Sequence, residues 1–447
     1  MRNNYRQIGH LILSAPGNSL INFSVPILMS FNLQSVHFEA FFISRTRQLF
    51  WYLMILLLII ILSALFLPRI SAAAEWSFEP SISLFSGSEK NPTLTTGVHE
   101  SVTAVAIYPR MKWGIATETS AVNLDLLLGA TEYSDNQVPD SNVQILTLNS
   151  RVQASERTKW DLDSEYRRNI LYESVQIESG TGDLGDTDVG LVTQKVRRES
   201  LSIRPSWNYA LTERSSLGLR YAIRDVSFSN SAGTGLEGYK NHRLIANYSY
   251  QLTQQNNLNL SLVHAAHRPD VSISKSDSNQ ILAGISHVYT ETSQGRFLVG
   301  VGETSEKTSA GTNDTSTYVF EAGLKLRSEL STVDGVISRD VHSSGTGRTV
   351  VTNQFRTNMT RKISPMVSMK IRAKMFRNKV LEGSNPNDDR RYYELSPGLS
   401  WLWNPKLAFG LEYQYRRKKF DTSPESAESN ALYLEVTYTW PRQVTSR

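Results

Sequence analysis

The chain has 447 residues, of which 40% are hydrophobic, 20% charged and 10% aromatic, and it contains no cysteine. This composition excludes a disordered chain, a bundle of apolar transmembrane helices, a disulfide framework and thiolate metal sites. Five of the 47 basic residues but only one of the 42 acidic residues lie in residues 1–74, which leaves 42 basic and 41 acidic side chains in the remainder. The remainder therefore lacks the basic excess of a nucleic-acid-binding protein.

The first 74 residues have the features of an export signal. Arg45 and Arg47 precede an apolar run over 49–67, and Ala72, Ala73 and Ala74 follow it. A basic segment, an apolar run and a small-residue site are typical of a secretory signal peptide. We predict a signal peptide over 45–74, cleaved after Ala74, behind an N-terminal extension over 1–44 for which a wrongly assigned start codon is one explanation. An uncleaved anchor is the alternative, since about 18 apolar residues span a bilayer.

From Trp76 onward the sequence alternates between apolar and polar residues. In the last such segment Leu432, Leu434, Val436, Tyr438 and Trp440 share one side of an extended strand, and polar residues share the other. Similar alternation begins near positions 217, 258, 318, 367 and 407. A period of two residues indicates strands with one apolar and one polar face.

The connections between these segments alternate in length. Short polar turns are predicted at 118–120, 155–157, 212–214, 253–255, 292–294, 329–331, 362–364 and 404–406. Longer loops rich in Gly, Ser, Asn and Asp are predicted at 87–97, 135–140, 173–193, 229–238, 269–277, 308–314, 343–348, 381–389 and 421–427. Short turns on one rim and long loops on the other are typical of outer-membrane barrels.

The predicted fold class is all-β, with one transmembrane antiparallel β-barrel over 75–447. About eighteen strands are expected, and any even number from sixteen to twenty is acceptable. A soluble sandwich or propeller is the alternative, but its strands average about 5–6 residues. The segments in this chain are long enough to cross a bilayer at a tilt. The apolar face of each strand is therefore expected to touch lipid, with Tyr438 and Trp440 at the interface.

A proline followed within four residues by a tryptophan occurs three times, at Pro109, Pro205 and Pro397. Proline removes a ladder hydrogen bond, so each is predicted to mark a β-bulge. The bulge either eases the curvature of a barrel with its tryptophan facing lipid, or re-aims a side chain to constrict the lumen.

Several segments carry a family resemblance. They are "SVTAVAIYPRMKW" (101–113), "NLDLLLGATEYSDN" (123–136), "LSIRPSWNYALTERSSLGLRY" (201–221) and "LYLEVTYTWP" (432–441). With these segments the chain resembles outer-membrane β-barrel porins that accompany exopolysaccharide and exosortase gene clusters in Gram-negative bacteria. The resemblance spans nearly all of 75–447 and implies localisation in the cell outer membrane, with barrel-assembly machinery recognising the terminal strand.

No catalytic signature is present: the sequence has no nucleophile elbow, no HExxH and no phosphate-binding loop. His264 and His267 are three residues apart and point to opposite faces of a strand, so they cannot share a metal. Asp183, Asp186 and Asp188 lack the spacing of an EF-hand loop and indicate a solvated acidic loop, with divalent bridging to lipopolysaccharide as the alternative. We predict that the protein is not an enzyme and binds no cofactor or metal.

The candidate binding residues are basic side chains on the polar faces of strands. Charges facing lipid at mid-depth cost about 2–4 kcal/mol each, so these side chains are expected to face the lumen. They are Arg204, Arg220, Arg224, Lys325, Arg327, Lys370, Arg372, Lys374 and Arg416. Acidic residues predicted on the same faces are Asp161, Asp163, Glu165, Glu321, Glu412 and Glu435. Either these charges form the ion pairs that line any wide barrel, or the basic excess selects anions, including acidic polysaccharide.

The predicted function is a passive conduit for exopolysaccharide export. A general small-solute porin and a non-conducting adhesin or assembly scaffold are the alternatives. The loop over 173–193 is the candidate plug of the lumen. The expected partners are outer-membrane lipid and lipopolysaccharide, the barrel-assembly machinery and periplasmic polysaccharide-export proteins; nucleic acid is not expected.

Overall fold

The computed structural model describes residues 74–446, except 98, 136–137, 139, 171–195, 272–273, 309–310, 345, 347 and 382–388. The chain divides into two units, Met1–Phe66 and Leu67–Arg447, and every described residue lies in the second. The predicted extension and signal peptide over 1–74 lie outside the described residues except for Ala74, and they stay predictions. The acidic loop over 173–193 also lies outside them.

Within the described residues the chain forms nineteen strands. The first nine are β1 (Glu75–Lys90), β2 (Ser101–Ala116), β3 (Ser120–Tyr133), β4 (Ser141–Gln153), β5 (Thr158–Ile170), β6 (Arg197–Ala210), β7 (Ser215–Ser229), β8 (Tyr239–Gln251) and β9 (Asn256–Pro269). The others are β10 (Lys275–Thr290), β11 (Ser293–Thr308), β12 (Gly311–Arg327), β13 (Ser331–Ser343), β14 (Thr349–Lys362), β15 (Val367–Val380), β16 (Arg390–Asn404), β17 (Leu407–Phe420), β18 (Ser426–Thr439) and β19 (Gln443–Ser446). Among the described residues, no helix is long and apolar enough to cross a membrane.

The strands close into one antiparallel barrel of eighteen strands, as predicted. Each strand from β1 to β17 pairs with its successor in the chain, and β1 also pairs with β18, from Ser81↔Thr439 to Lys90↔Asn430. The short β19 resumes the path of β18 after Pro441 and pairs with the start of β1, from Glu75↔Ser446 to Phe78↔Gln443. Closure leaves no sheet edge, which is the condition for a β-structure to span lipid.

The alternation seen in the sequence is the alternation between the two faces of the barrel wall. On β18, Leu432, Leu434 and Val436 are 50%, 61% and 38% exposed, whereas Ala431 and Tyr433 in the other phase are buried. The same phase runs through the predicted strands, so their apolar residues point outward. A closed wall with a continuous apolar exterior is a lipid-facing surface.

Aromatic side chains cluster on the outer face at the rim of short turns. Trp76 packs on Trp113 with ring centroids 5.4 Å apart, and Trp160 on Trp207 at 6.2 Å. Further round the barrel, Trp401–Trp403 and Tyr438–Trp440 each pack at 4.9 Å. Such a girdle marks the level at which the wall leaves the hydrocarbon for the headgroups. Tyr438 and Trp440 belong to this girdle, and their position at the membrane interface stays a prediction.

The prediction of bulges at the three prolines is wrong. Around Pro109 the pairing runs from Ile107↔Ala130 to Arg110↔Leu127 with no change of register, and Pro205 and Pro397 also leave the register unshifted. Each proline lies in the outward phase, so the ladder loses local pairing without gaining a residue. The associated tryptophans face outward, which agrees with the lipid-facing alternative and not with a lumen constriction.

The predicted connections that the structure describes are confirmed with two changes. The strands extend further than expected at the long-loop rim, so β1 continues to Lys90 and β12 already begins at Gly311. The predicted loop over 308–314 is therefore mostly strand, because its Thr, Asn and Asp residues satisfy their backbone groups in the ladder between β11 and β12. The predicted loops over 173–193 and 381–389 lie wholly or mostly outside the described residues and stay predictions.

Candidate functional site: the barrel lumen

A cavity of about 710 Å³ opens on the inner face of the wall between β4 and β14. Its basic lining includes Arg204, Arg220, Arg224, Arg296 and Arg356, and its acidic lining is Asp163, Glu321 and Asp340. Arg296 forms an ion pair with Glu321 across the β11–β12 ladder. The cavity therefore carries an excess of positive charge, concentrated on β6 and β7.

A polar bridge crosses the lumen in the long-loop half of the barrel. Asp340 on β13 accepts a hydrogen bond of 2.9 Å from Nη2 of Arg243 on β8, and its other oxygen accepts one of 2.8 Å from Nε2 of Gln280 on β10. These three strands are not neighbours in the wall, so the bonds span the interior. Nearby, the Thr349 hydroxyl on β14 donates to the Ser276 hydroxyl on β10 at 2.8 Å. The bridge is part of the cavity wall and narrows the path through it.

Glycines on the inner faces of β10 and β11 allow these two paired strands to approach closely. An added Cβ at Gly284 or Gly300 would clash with the backbone oxygens of Phe297 and Ile281. Glycine at both positions permits the close approach. The inner wall beside these glycines carries buried apolar residues that a water-lined wall would not be expected to carry. They are Val263, Leu282, Leu298 and Val319, with Ile245 packed against them.

A second obstruction is the loop between β1 and β2, here called the β1–β2 loop (91–97). Its Leu94 is completely buried and packs against the inward-facing Phe376, Tyr392 and Ala427 of β15, β16 and β18. Asn91 holds the loop: its Nδ2 donates to the backbone oxygens of Thr95 at 2.7 Å and of Glu428 at 2.9 Å. Because its apolar anchor lies on the inner wall, this loop folds into the lumen.

A buried ion pair fixes the base of this loop. The Arg416 guanidinium on β17 pairs with Glu89 on β1, and their side chains are only 2% and 4% exposed. Nη2 of Arg416 also donates to the backbone oxygen of Pro92 at 3.1 Å, and the Tyr433 hydroxyl donates to Glu89 at 2.8 Å. A buried charge pair is tolerated when its remaining groups are hydrogen-bonded in this way.

The nine predicted binding residues all lie in the inward phase, but they do not form one site. Arg204, Arg220 and Arg224 line the cavity. No ion pair joins Arg204 or Arg220 to a residue in the described part of the chain. Lys325 and Arg327 lie on β12 near the short-turn rim. Arg416 is buried beneath the β1–β2 loop, so it serves the loop and is not accessible to a solute.

The three predicted residues on β15 are held by neighbouring side chains. Arg372 forms an ion pair with Glu412 on β17. The Lys374 ammonium lies 5.5 Å from the centre of the Phe376 ring. Lys370 lies closest to the short-turn end of the strand. The row of cations is therefore partly neutralised, which agrees with the simpler interpretation of paired charges along a wide barrel.

The predicted acidic residues also pair on the inner face. Asp161 contacts Arg151 at 3.0 Å and Lys159 at 3.4 Å, and Glu165 contacts Arg167 at 3.1 Å.

The two histidines of β9 point to opposite faces of the wall, as predicted. His264 forms a hydrogen bond with Asn279 on the outer face, and His267 forms one with Asn241 on the inner face. Among the residues that the structure describes, no group of three or more possible ligands could hold a metal ion.

Sequence reasoning missed the two obstructions. Arg243 and Asp340 lie in the inward phase of their strands, so alternation alone would have added them to the lumen set. Their pairing across the interior has no sequence signal, because it depends on the distance between strands that are not neighbours in the wall. Leu94 did leave a signal, since it is an apolar residue within a polar loop.

Residues 263–439 match the model of a family described as "Putative beta-barrel porin 2". The closed wall with its apolar exterior is the fold of an outer-membrane β-barrel. The matched segment begins in β9 and ends with β18, so it covers less than half of the chain. The family description names no cargo and no exopolysaccharide gene cluster.

Solved outer-membrane barrels show a distant likeness to this porin fold. OccK2 (OpdF) of Pseudomonas aeruginosa, in complex with glucuronate, is 12% identical with a TM-score of 0.40, covering 82% of this chain and 97% of that chain. OprD of Pseudomonas aeruginosa is 11% identical with a TM-score of 0.40, covering 82% and 95%. OccAB2 of Acinetobacter baumannii is 12% identical with a TM-score of 0.39, covering 82% and 98%. No curated protein matches the chain.

Proposed function

We propose that the protein is a passive channel for small hydrophilic solutes that carry carboxylate or phosphate groups. The observation that carries the proposal is the cavity on β4 to β14, where Arg204, Arg220 and Arg224 outnumber the nearby Asp163. Rings and rows of arginine select anions by lowering the electrostatic barrier to their entry. The Arg243–Asp340 bridge narrows the path through this cavity, which suits a small solute better than a wide polymer.

The interior supports passage by repeated weak contacts. A solute must bind firmly enough to enter and weakly enough to leave. Arg204 and Arg220 are free to contact a carboxylate, whereas the charges of Arg372 and Arg296 are already neutralised by acids. The apolar patch around Leu282 would favour a solute with one less polar face. In this proposal the arginines of β6 and β7 determine the selectivity for anions.

Export of an acidic exopolysaccharide is the second candidate. The observation that favours it is the run of Lys370, Arg372 and Lys374 along the inner face of β15. These cations lie on a different strand from the cavity arginines of β6 and β7. Cations at several depths could contact successive uronate groups of one chain. This role requires the β1–β2 loop and the Arg243–Asp340 bridge to move aside. It also requires a periplasmic export partner to drive the polymer.

Planar-bilayer recordings under a salt gradient test the first candidate. Wild-type protein is expected to show a reversal potential that favours anions, and R220E/R224E to reduce or invert it. The control is K275E/K307E, which places the same charge change on the outer faces of β10 and β11. An unchanged reversal potential in the double variant contradicts the proposal. No conductance at all, even when the β1–β2 loop is deleted, would favour a scaffold or adhesin.

A deletion strain separates the two transport roles. If the protein takes up small anions, uptake of anionic sugars falls and secreted polysaccharide is unchanged. If it exports polysaccharide, secretion falls, and K370E/K374E complementation restores a neutral polymer better than an acidic one. Equal failure with both polymers would indicate a damaged barrel.

A further inference from the structure

The outer face of β15, β16 and β17 carries a dense group of cations at the long-loop rim, here called the basic rim patch. It comprises Arg377, Lys379, Arg391, Arg417 and Lys419, all in the outward phase of their strands. Two of them lie within the last four residues of β15 and two within the last four residues of β17, and Arg391 is the second residue of β16. This level corresponds to the outer-leaflet headgroups, where charge on the lipid side is tolerated.

The strand register places three of these cations in one row. Arg377 lies opposite Arg391 in the β15–β16 ladder, and Arg391 lies opposite Lys419 in the β16–β17 ladder. With neighbouring strands about 4.8 Å apart, the row is about 10 Å wide. Like charges directly opposite one another on a sheet are destabilising unless an anion lies between them.

Acidic side chains neutralise only part of the patch. Asp421 contacts Arg377 at 2.8 Å and Arg391 at 3.1 Å, and Glu428 contacts Arg417 at 3.3 Å. Within the described part of the chain, Lys379 and Lys419 make no ion pair. Among the described residues, these five cations are contacted by two carboxylates, which leaves an excess of three positive charges.

Another sector of the same rim is closer to balance. On β9 to β11 the outward-facing Arg268, Lys275 and Lys307 are accompanied by Asp277 and Glu303, and Arg268 pairs with Asp277 at 2.6 Å. The charge of the basic rim patch is therefore not a general property of the rim.

The surface just below the patch is apolar and aromatic. Tyr393, Leu395 and Tyr413 face outward and are 38%, 44% and 41% exposed. A ligand on this surface would thus meet cations at its head and an apolar wall along its tail. Arginine forks bind phosphate oxygens in a bidentate manner, and lysines add point charge.

We propose that the basic rim patch binds the phosphate groups of lipopolysaccharide in the outer leaflet, with its acyl chains against Tyr393, Leu395 and Tyr413. The proposal depends on the outer-membrane location and not on the solute that the lumen carries. Lys379 and Lys419 form no ion pair with a carboxylate in the described part of the chain, so their substitution separates an effect on ligand binding from an effect on stability.

The test measures binding of purified lipopolysaccharide to the full-length barrel in detergent by microscale thermophoresis. The variant is K379Q/K419Q, and the matched control is K275Q/K307Q, which removes two unpaired rim cations from β10 and β11. We expect K379Q/K419Q to weaken binding about fivefold, given the modest worth of each exposed charge pair, and the control to leave it unchanged. Dephosphorylated lipopolysaccharide should bind all three proteins weakly and equally.

Three outcomes would overturn the proposal. The first is equal weakening by the variant and the control, which indicates a diffuse charge effect. The second is undiminished binding of dephosphorylated lipopolysaccharide. The third is an equal effect of K379Q/K419Q on phosphatidylglycerol micelles, which indicates a general anionic-lipid surface. Gel mobility with and without heating confirms that each variant is folded.

Discussion

Arg416 on β17 and Glu89 on β1 form an ion pair that is sealed from water, although a whole strand, β18, separates them in the wall. Loss of one partner leaves the other charge buried and unpaired. We therefore expect E89A to lower the free energy of unfolding by about 3–5 kcal/mol. Urea unfolding in lipid vesicles, followed by tryptophan fluorescence, measures the change.

The neighbouring pair on the opposite face is the control for E89A. Arg417 and Glu428 are 45% and 46% exposed, so E428A should change the free energy of unfolding by no more than about 1 kcal/mol. Similar losses from E89A and E428A would mean that burial of the first pair contributes nothing.

Removal of the cross-lumen bridge should widen the path and increase anion preference. D340A takes away the acceptor shared by Arg243 and Gln280 and also deletes a negative charge from the interior. Single-channel recordings should show a larger conductance and a reversal potential shifted toward anions. D334A on the same inner face of β13 deletes an equal charge without a bridge, so it should shift selectivity without the gain in conductance. A reduced conductance in D340A would contradict a constricting bridge.

Acid should loosen the outer rim between β15, β16 and β17. Burial tends to raise the pKa of Asp421, but the hydrogen bond and charge of Arg377, together with Arg391, hold that pKa below its ordinary value of 3.8. A lowered folded-state pKa gives stability that is present above pH 3.8 and is lost as the pH falls through the lower folded value. Thermal midpoints of wild type should therefore fall in this acid range, by a small amount because the group is exposed. D421N should be less stable at neutral pH and should lose less of its thermal midpoint as the pH falls. An identical acid dependence of the midpoint in both proteins would exclude a contribution from Asp421.

The direction of insertion follows from the two rims. An epitope tag placed in the connection at 230–238, beside Gly233, should be detected on intact cells because long loops face outward in outer-membrane barrels. A tag in the short turn at 211–214 should be detected only after the outer membrane is opened. Detection in the reverse pattern would invert the orientation.

The sequence allowed the barrel to be predicted because each strand pairs with its neighbour in the chain. Alternation such as that of Leu432, Leu434 and Val436 sets which face meets lipid, and a one-residue slip would reverse every side chain. The strand number, the turn positions and the inward phase of Arg220 all follow from this local pattern.

The interior could not be predicted from the same pattern. Whether Arg243 reaches Asp340 depends on the distance between β8 and β13 across the interior, which alternation does not report. The burial of Arg416 depends on a loop whose Leu94 crosses to strands far along the chain. The prediction of bulges at the prolines was wrong for a related reason. An outward-facing proline can lack its ladder hydrogen bonds without an extra residue in the strand, and the sequence alone does not distinguish this arrangement from a bulge.

The position of Glu89 and Asn91 has a consequence for the order of folding. The ladders outside one seam join consecutive strands. That seam pairs β1 with β18 and β19, and it joins residues more than 300 positions apart, as in Ser81↔Thr439. Such a long closure is slow because its chain entropy is lost before any contact repays it. Glu89 bonds β17 and Asn91 bonds β18 across that seam. Glu89 and Asn91, which hold the β1–β2 loop in the lumen, thus also stabilise the seam ladder, which we expect to form last. A variant that releases this loop from the lumen would therefore be expected to slow closure of the barrel.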